Sequence, residues 1–135
     1  MEKNITHTTH DIGVANQIGS YSDAIEVGPN LRWLVTSGTP GLATNGELRK
    51  DVTAQAELAW QHIIRMLERA GMVVTDIVKV TQYLTRADDI PAYAKVRNRF
   101  LGDTKPASML LVIPQLVRPE FFVEIEVFAA KTTSP

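Results

Sequence analysis

Near the C-terminus, Phe122, Glu124, Glu126 and Phe128 alternate with Val123, Ile125, Val127 and Ala129, so an extended strand would put two carboxylates among aromatic rings on one face and an apolar row on the other. A carboxyl partly withdrawn from water has its pKa raised toward neutrality, which suits general acid–base work. Glu124 is the candidate for that role; the ordinary alternative is a solvated or salt-bridged strand residue. Glu126, two residues on, reads as a structural hydrogen-bonding residue. The second chemical candidate is a cation. If Ile90 to Leu101 is helical, one residue every 100° sets Arg97 inside an arc of Ile90, Tyr93, Val96, Phe100 and Leu101. A guanidinium cannot shed its charge, so it must find a carboxylate, a phosphate or a bound anion unless its stem snorkels to water. Arg97 is therefore a candidate contact for a small anionic ligand, with an ion pair to Glu124 or Glu126 as the competing arrangement.

Other chemistries find little support. The chain has no cysteine, which removes disulfides, thiolate catalysis and sulfur-based zinc sites. His7, His10 and His62 form no ligand-like cluster with acidic residues. Ser37 sits in no nucleophile elbow, and no segment carries a phosphate-binding glycine signature. Trp60 reads as packing. With 14 basic and 15 acidic residues, no global charge bias gathers nucleic acid or an anionic membrane. No apolar run approaches the roughly 20 residues that span a bilayer, and the N-terminus shows no signal-peptide pattern. A cytoplasmic location is the default expectation.

The 135 residues, 44% hydrophobic and 21% charged, suit one domain spanning 1–135, with a polar N-terminal segment over 1–18 in which His7 and His10 are mobile. Ser22 to Val27 and Leu31 to Ser37 read as short strands joined by Gly28, Pro29 and Asn30 into a hairpin. Thr39 to Asp51 reads as a loop. Asp51 can cap a helix carrying Val52, Ala56, Ala59, Ile63, Met66, Leu67 and Ala70 at helical spacing, stopped by Gly71. Asp76 to Leu84 reads as a strand. A second helix, capped by Asp88 or Asp89 and with Pro91 in its first turn, ends near Gly102. Ala107 to Ile113 is apolar on both faces, the final strand follows, and a frayed tail covers 131–135. Two helices can cover only one sheet face. The other face implies self-association through Met109, Leu111 or their neighbours.

Several separated motifs, Gly19–Ser20–Tyr21–Ser22, Thr36–Ser37–Gly38, Asp51 with Gln55, Ala70–Gly71, Asp76 with Val78–Lys79, Pro106–Ala107 and Val123–Glu124–Ile125–Glu126, occur in an order that resembles the RidA/YjgF family over roughly Gly19 to Ala129. The resemblance implies a chorismate-mutase-like α/β (α+β) fold, a mixed sheet with two helices packed on one face, and a homotrimer with small-molecule clefts between subunits. It implies a chemistry without cofactor or metal, the hydrolysis of reactive enamines and imines to 2-oxo acids and ammonia. Glu124 then corresponds to the glutamate that places the attacking water. Tyr21 would cover the substrate, and the Ser37–Gly38–Thr39 turn would bring backbone amides to a carboxylate or developing anion.

This chain also departs from the family's pattern. The deaminating branch reads Pro, Ala, Arg, Ser after the second helix, its arginine gripping the substrate carboxylate; here that arginine position is Ser108, which offers a hydroxyl and no charge. Thr39 stands where a glutamine is frequent. The missing charge could be resupplied by Arg97, across a subunit boundary. With Met109 and Leu110 beside Ser108, the expected substrate is an enamine or imine other than 2-aminoacrylate, such as an aminomuconate-like compound. The alternative from a different class is a non-catalytic trimer that binds a small metabolite or regulates a partner.

Overall fold

Asp51 caps α1 (Val52–Arg69) as expected: its Oδ1 accepts the Ala54 amide at 2.8 Å, satisfying one of the donors a helix start leaves orphaned. Val52, Ala56, Ala59, Ile63 and Leu67 are buried at helical spacing along it. The helix stops at Gly71, whose φ of +70° suits a residue without a side chain. Helix α2 (Ile90–Leu101) starts with Pro91 in its first turn and ends at Gly102. Asp89 holds its cap position without capping through its side chain, because the carboxylate accepts from Arg86 Nε at 2.9 Å instead. A guanidinium is the stronger donor, and it wins.

The computed structural model describes residues 6–133. Strands β1 (His7–His10) and β2 (Ala24–Val27) form a two-stranded antiparallel sheet. The main sheet runs β3 (Leu31–Val35), β7 (Val123–Thr132), β5 (Ile77–Leu84), β6 (Ala107–Val112), with β4 (Thr39–Pro40) pairing the start of β7. Only β5 and β6 are parallel among these pairs, since α2 carries the chain back between them. Both helices lie on one face. There Trp60, Ile63, Tyr93 and Val96 join Val80, Leu84, Ile125 and Val127 in one buried cluster. This is the mixed sheet with two helices on one side that the sequence called for.

The opposite face is bare. Register places Thr81 beside Met109 and Glu126, and Tyr83 beside Leu111 and Glu124. Exposures of 50% at Trp33, 60% at Val35 and 50% at Met109 leave this face largely apolar and uncovered in the single chain.

The hairpin expected from Ser22–Val27 and Leu31–Ser37 does not form. The chain does bend at Pro29 and Asn30, with Asn30 at φ +59°, but the flanking strands enter different sheets, β2 pairing β1 and β3 pairing β7. Turn chemistry specifies a reversal, and the ten-residue β7 competes for β3 as an edge partner. His7 and His10 accordingly sit in a paired strand, His7 against the Ala130 carbonyl at 3.1 Å, so that part of the N-terminal segment is ordered. Part of the expected 39–51 loop is β4. Lys131 and Thr132 belong to β7, whereas positions 134 and 135 lie outside the described residues.

Candidate functional site

The alternation along β7 turns Val123, Ile125 and Val127 into the core and Glu124 to the bare face. Opposite it, the chain turns at Ser37–Gly38–Thr39. This turn is pinned to β7 on both sides: the Thr36 amide donates to the Val127 carbonyl at 3.1 Å, the Val127 amide donates to Thr36 Oγ1 at 3.0 Å, and Thr39 and Pro40 pair Ile125 and Glu124. Thr39 Oγ1 donates to the Ser37 carbonyl at 3.0 Å. A Cβ on Gly38 would overlap Glu124 Oε1, with Cδ at 3.5 Å. Glycine thus leaves room for the carboxyl against the turn, and any side chain here would oblige the carboxyl to move.

Burial pushes the Glu124 carboxyl above its ordinary range, and no charged neighbour contributes to the shift. Behind the turn, a groove of about 340 Å³ between β4 and α1 is lined by Thr39, His62, Arg65 and Arg69. The two arginines make no ion pair among the described residues, and their charges do not offset the shift at Glu124.

Tyr21 and Ser108 form a second group at the other end of the sheet. Ser22 bridges Ala107 in parallel, its amide donating to the Pro106 carbonyl at 3.2 Å and its hydroxyl to the Lys105 carbonyl. Tyr21 and Ser108 flank that bridge. Ser108 pairs Val80 in register, so it faces the helices, on the side opposite Glu124. Its Oγ accepts from Gln82 Nε2 at 3.0 Å, and Gln82 Oε1 accepts from the Tyr93 hydroxyl at 2.6 Å.

Arg97 borders the same pair. Its guanidinium carbon stands 5.8 Å from the Tyr93 ring centroid, and its Nε donates to Asn98 Oδ1 at 3.2 Å. Within one chain Arg97 makes no ion pair with Glu124 or Glu126 among the described residues, because those carboxylates leave the other face of the sheet; such a pair would have to join two copies. Arg97 is half-buried, held by a ring face and an amide oxygen, and without a carboxylate. Within one chain Ser37, Gly38, Thr39 and Glu124 come together, whereas Ser108 lies on the other face, linked to Arg97 only through Gln82 and Tyr93, and Tyr21 adjoins the Ser22–Ala107 bridge.

Two glutamines have roles that the sequence did not assign, Gln55 being noted only within a motif and Gln82 not at all. Gln55, buried on α1, donates to the Arg49 and Glu120 carbonyls at 3.0 and 3.1 Å and accepts from the Phe122 amide at 2.8 Å, tying the approach to Glu124 onto the helix. Gln82 occupies an inward position of β5 between Val80 and Leu84. Its signal was a polar residue at the core phase of a strand.

A mixed sheet backed by two helices, with a carboxylate held against a glycine turn on its bare face, defines the class. The family model described as Endoribonuclease L-PSP matches residues 13–131. A RutC family protein of Pyrococcus abyssi is 33% identical over 115 residues, covering 84% of this chain and 88% of the relative. The proposed reactive intermediate deaminase TdcF of Escherichia coli is 28% identical over 119 residues, covering 85% and 89%. The crystal structure of RidA from an Antarctic Psychrobacter superposes with a TM-score of 0.67 at 32% identity, covering 83% and 89%. The chain belongs to the RidA/YjgF family, to which the reactive-intermediate deaminases of the RidA and TdcF type also belong. No helix among the described residues is long and apolar enough to cross a membrane.

Proposed function

We propose that this chain hydrolyses a reactive enamine or imine to a 2-oxo acid and ammonia, in clefts completed between copies of the chain. The observation that carries this reading is the Glu124 carboxyl, raised by burial and held against the Gly38 turn. As carboxylate, Glu124 takes a proton from water while the oxygen bonds to the imine carbon and the C=N pair moves to nitrogen. The resulting carboxylic acid returns that proton to the amine nitrogen. Glu124 then passes the carbinolamine's hydroxyl proton to the amine as the C=O bond forms, the C–N bond breaks and ammonia leaves. An enamine enters by first taking a proton on carbon. The Gly38–Thr39 turn supports the developing charge.

Arg97, Ser108 and Tyr21 form the substrate-holding half. The two halves lie on opposite faces of one sheet, which favours a cleft made by two copies. The bare apolar face carrying Trp33, Val35, Met109 and Phe128 is the surface on which a homotrimer would close. One half-buried guanidinium and a hydroxyl, in place of a two-pronged clamp, suit a longer unsaturated amino-acid derivative of the aminomuconate type.

The test is ammonia and 2-oxo acid release from a panel of imines generated in situ by an amino-acid oxidase. Acceleration by the protein, lost in E124Q, supports deamination. Spontaneous rates across the panel would contradict it.

A further inference from the structure

Strand β5 carries an amide where its inward alternation otherwise places aliphatic side chains. Gln82 has no solvent exposure, and its hydrogen-bonding capacity toward the protein is used from both ends. Oε1 accepts from the Tyr93 hydroxyl at 2.6 Å. Nε2 donates to the Met109 carbonyl and to Ser108 Oγ, each at 3.0 Å. The direction of the amide follows from its partners: a backbone carbonyl can only accept, so the end that meets Met109 must be the NH2. At the other end, burial pushes the Tyr93 phenol well above its ordinary range, which keeps it a donor. Turned over, the amide would set its oxygen against the Met109 carbonyl and leave the Tyr93 hydroxyl proton without its acceptor.

The consequence falls on Ser108. Its hydroxyl has one proton, and Gln82 already donates to its oxygen, so the proton is directed elsewhere. No acceptor meets it among the described residues. A hydroxyl that accepts one hydrogen bond is also polarised into a better donor. Arg97, which stands over the ring of Tyr93, offers only donors.

We propose that Gln82, locked by Tyr93, is a positioning residue that presents the Ser108 hydroxyl to the bound molecule as a hydrogen-bond donor, so that this half of the cleft selects a carboxylate or carbonyl oxygen. This rests on the placement of Ser108 in the substrate cleft argued above. To the fixed charge of Arg97 this adds a neutral donor whose direction is decided one layer deeper in the core.

The test uses the full chain and 2-oxobutyrate, a product-type acid, titrated by calorimetry. Ser108→Ala is expected to weaken binding about three- to tenfold, as for one neutral hydrogen bond, and Ser108→Thr to restore it. Gln82→Leu is expected to weaken binding by a similar factor alone and by nothing further in the Ser108→Ala background, which a merely structural role would not produce. Equal losses in both backgrounds overturn the proposal. Where Gln82→Leu does not fold, Tyr93→Phe replaces it: a loss confined to the background that keeps Ser108 supports the proposal, and a loss in both overturns it.

A second arm is independent of the ligand. The side-chain NH2 resonances of Gln82 in the free protein are expected to shift on Ser108→Ala, and unchanged resonances overturn the proposal. If the wild type ignores 2-oxobutyrate while those resonances do shift, the Gln82–Ser108 hydrogen bond stands, and the placement of Ser108 in the cleft falls together with the proposed ligand.

Discussion

An alanine at position 38 would put a methyl group where the Glu124 carboxyl now rests, and the structure says which of the two must yield. Gly38 is not among the residues at positive φ, so alanine meets no backbone penalty there. Its Cβ, however, would overlap Glu124 Oε1. The turn is fixed by the paired Thr36 and Val127 contacts and by the β4 register, which leaves rotation of the carboxyl as the cheaper escape. An off-rotamer side chain costs about 0.5–1.5 kcal/mol, which for a domain of this size lowers the melting temperature by about 2–7 °C. A catalytic group displaced by about 1 Å loses on the order of 100-fold in rate. Thermal melting by circular dichroism and ammonia release from imines should therefore diverge, a small stability loss accompanying a large activity loss. In an E124A background the obstacle is gone, and G38A should then cost almost no stability. Near-wild-type turnover in G38A, or an equal stability cost in both backgrounds, would refute the reasoning.

Other expectations follow from the same contacts. Because burial raises the folded-state pKa of Glu124, this group favours the fold when protonated; its contribution is lost as pH rises from the ordinary carboxylate range through the raised value. E124Q should thus be more stable than wild type at pH 7 and converge with it in acid, as pH-dependent urea denaturation will measure, while activity falls in wild type as acid protonates the base. Gln55→Leu strands two carbonyls and the Phe122 amide and should cost about 3 kcal/mol in urea denaturation. Phe128→Glu adds a third carboxylate to the bare face beside Glu124 and Glu126 and should convert the proposed trimer into monomers by light scattering, with the far-ultraviolet spectrum retained. Arg97→Ala should weaken binding of 2-oxo acids at least tenfold, with little change in melting temperature.

The helices were legible because periodicity and end signals agree: Asp51 and Gly71 bracket α1 at the expected places. The bare face was legible too, since two helices cannot cover both sides of a sheet. The pairing of β3 with β7 was not, because Gly28, Pro29 and Asn30 encode a turn and say nothing about which distant strand will compete for its arms. Arg97 shows a similar limit. Helical spacing located it on an apolar arc, but the ring of Tyr93 and the amide of Asn98, one a helical turn away and one adjacent, accommodate it without a carboxylate. Glu124 was legible by strand alternation, whereas its contact with Gly38 joins residues 86 positions apart. The Gln82 network was hidden for another reason: a buried amide is recognised by its partners, and those come from α2 and β6.

In the proposed enzyme the two halves of the site, Glu124 with the Gly38 turn and Arg97 with Ser108, come from different copies of the chain. Mixing E124Q with R97A, unfolding and refolding them together, and measuring ammonia release tests this directly. If each cleft draws one half from each neighbour, random reassembly restores about one quarter of the clefts to wild-type composition and activity returns from two inactive parents. A mixture that stays as inactive as either parent would contradict it.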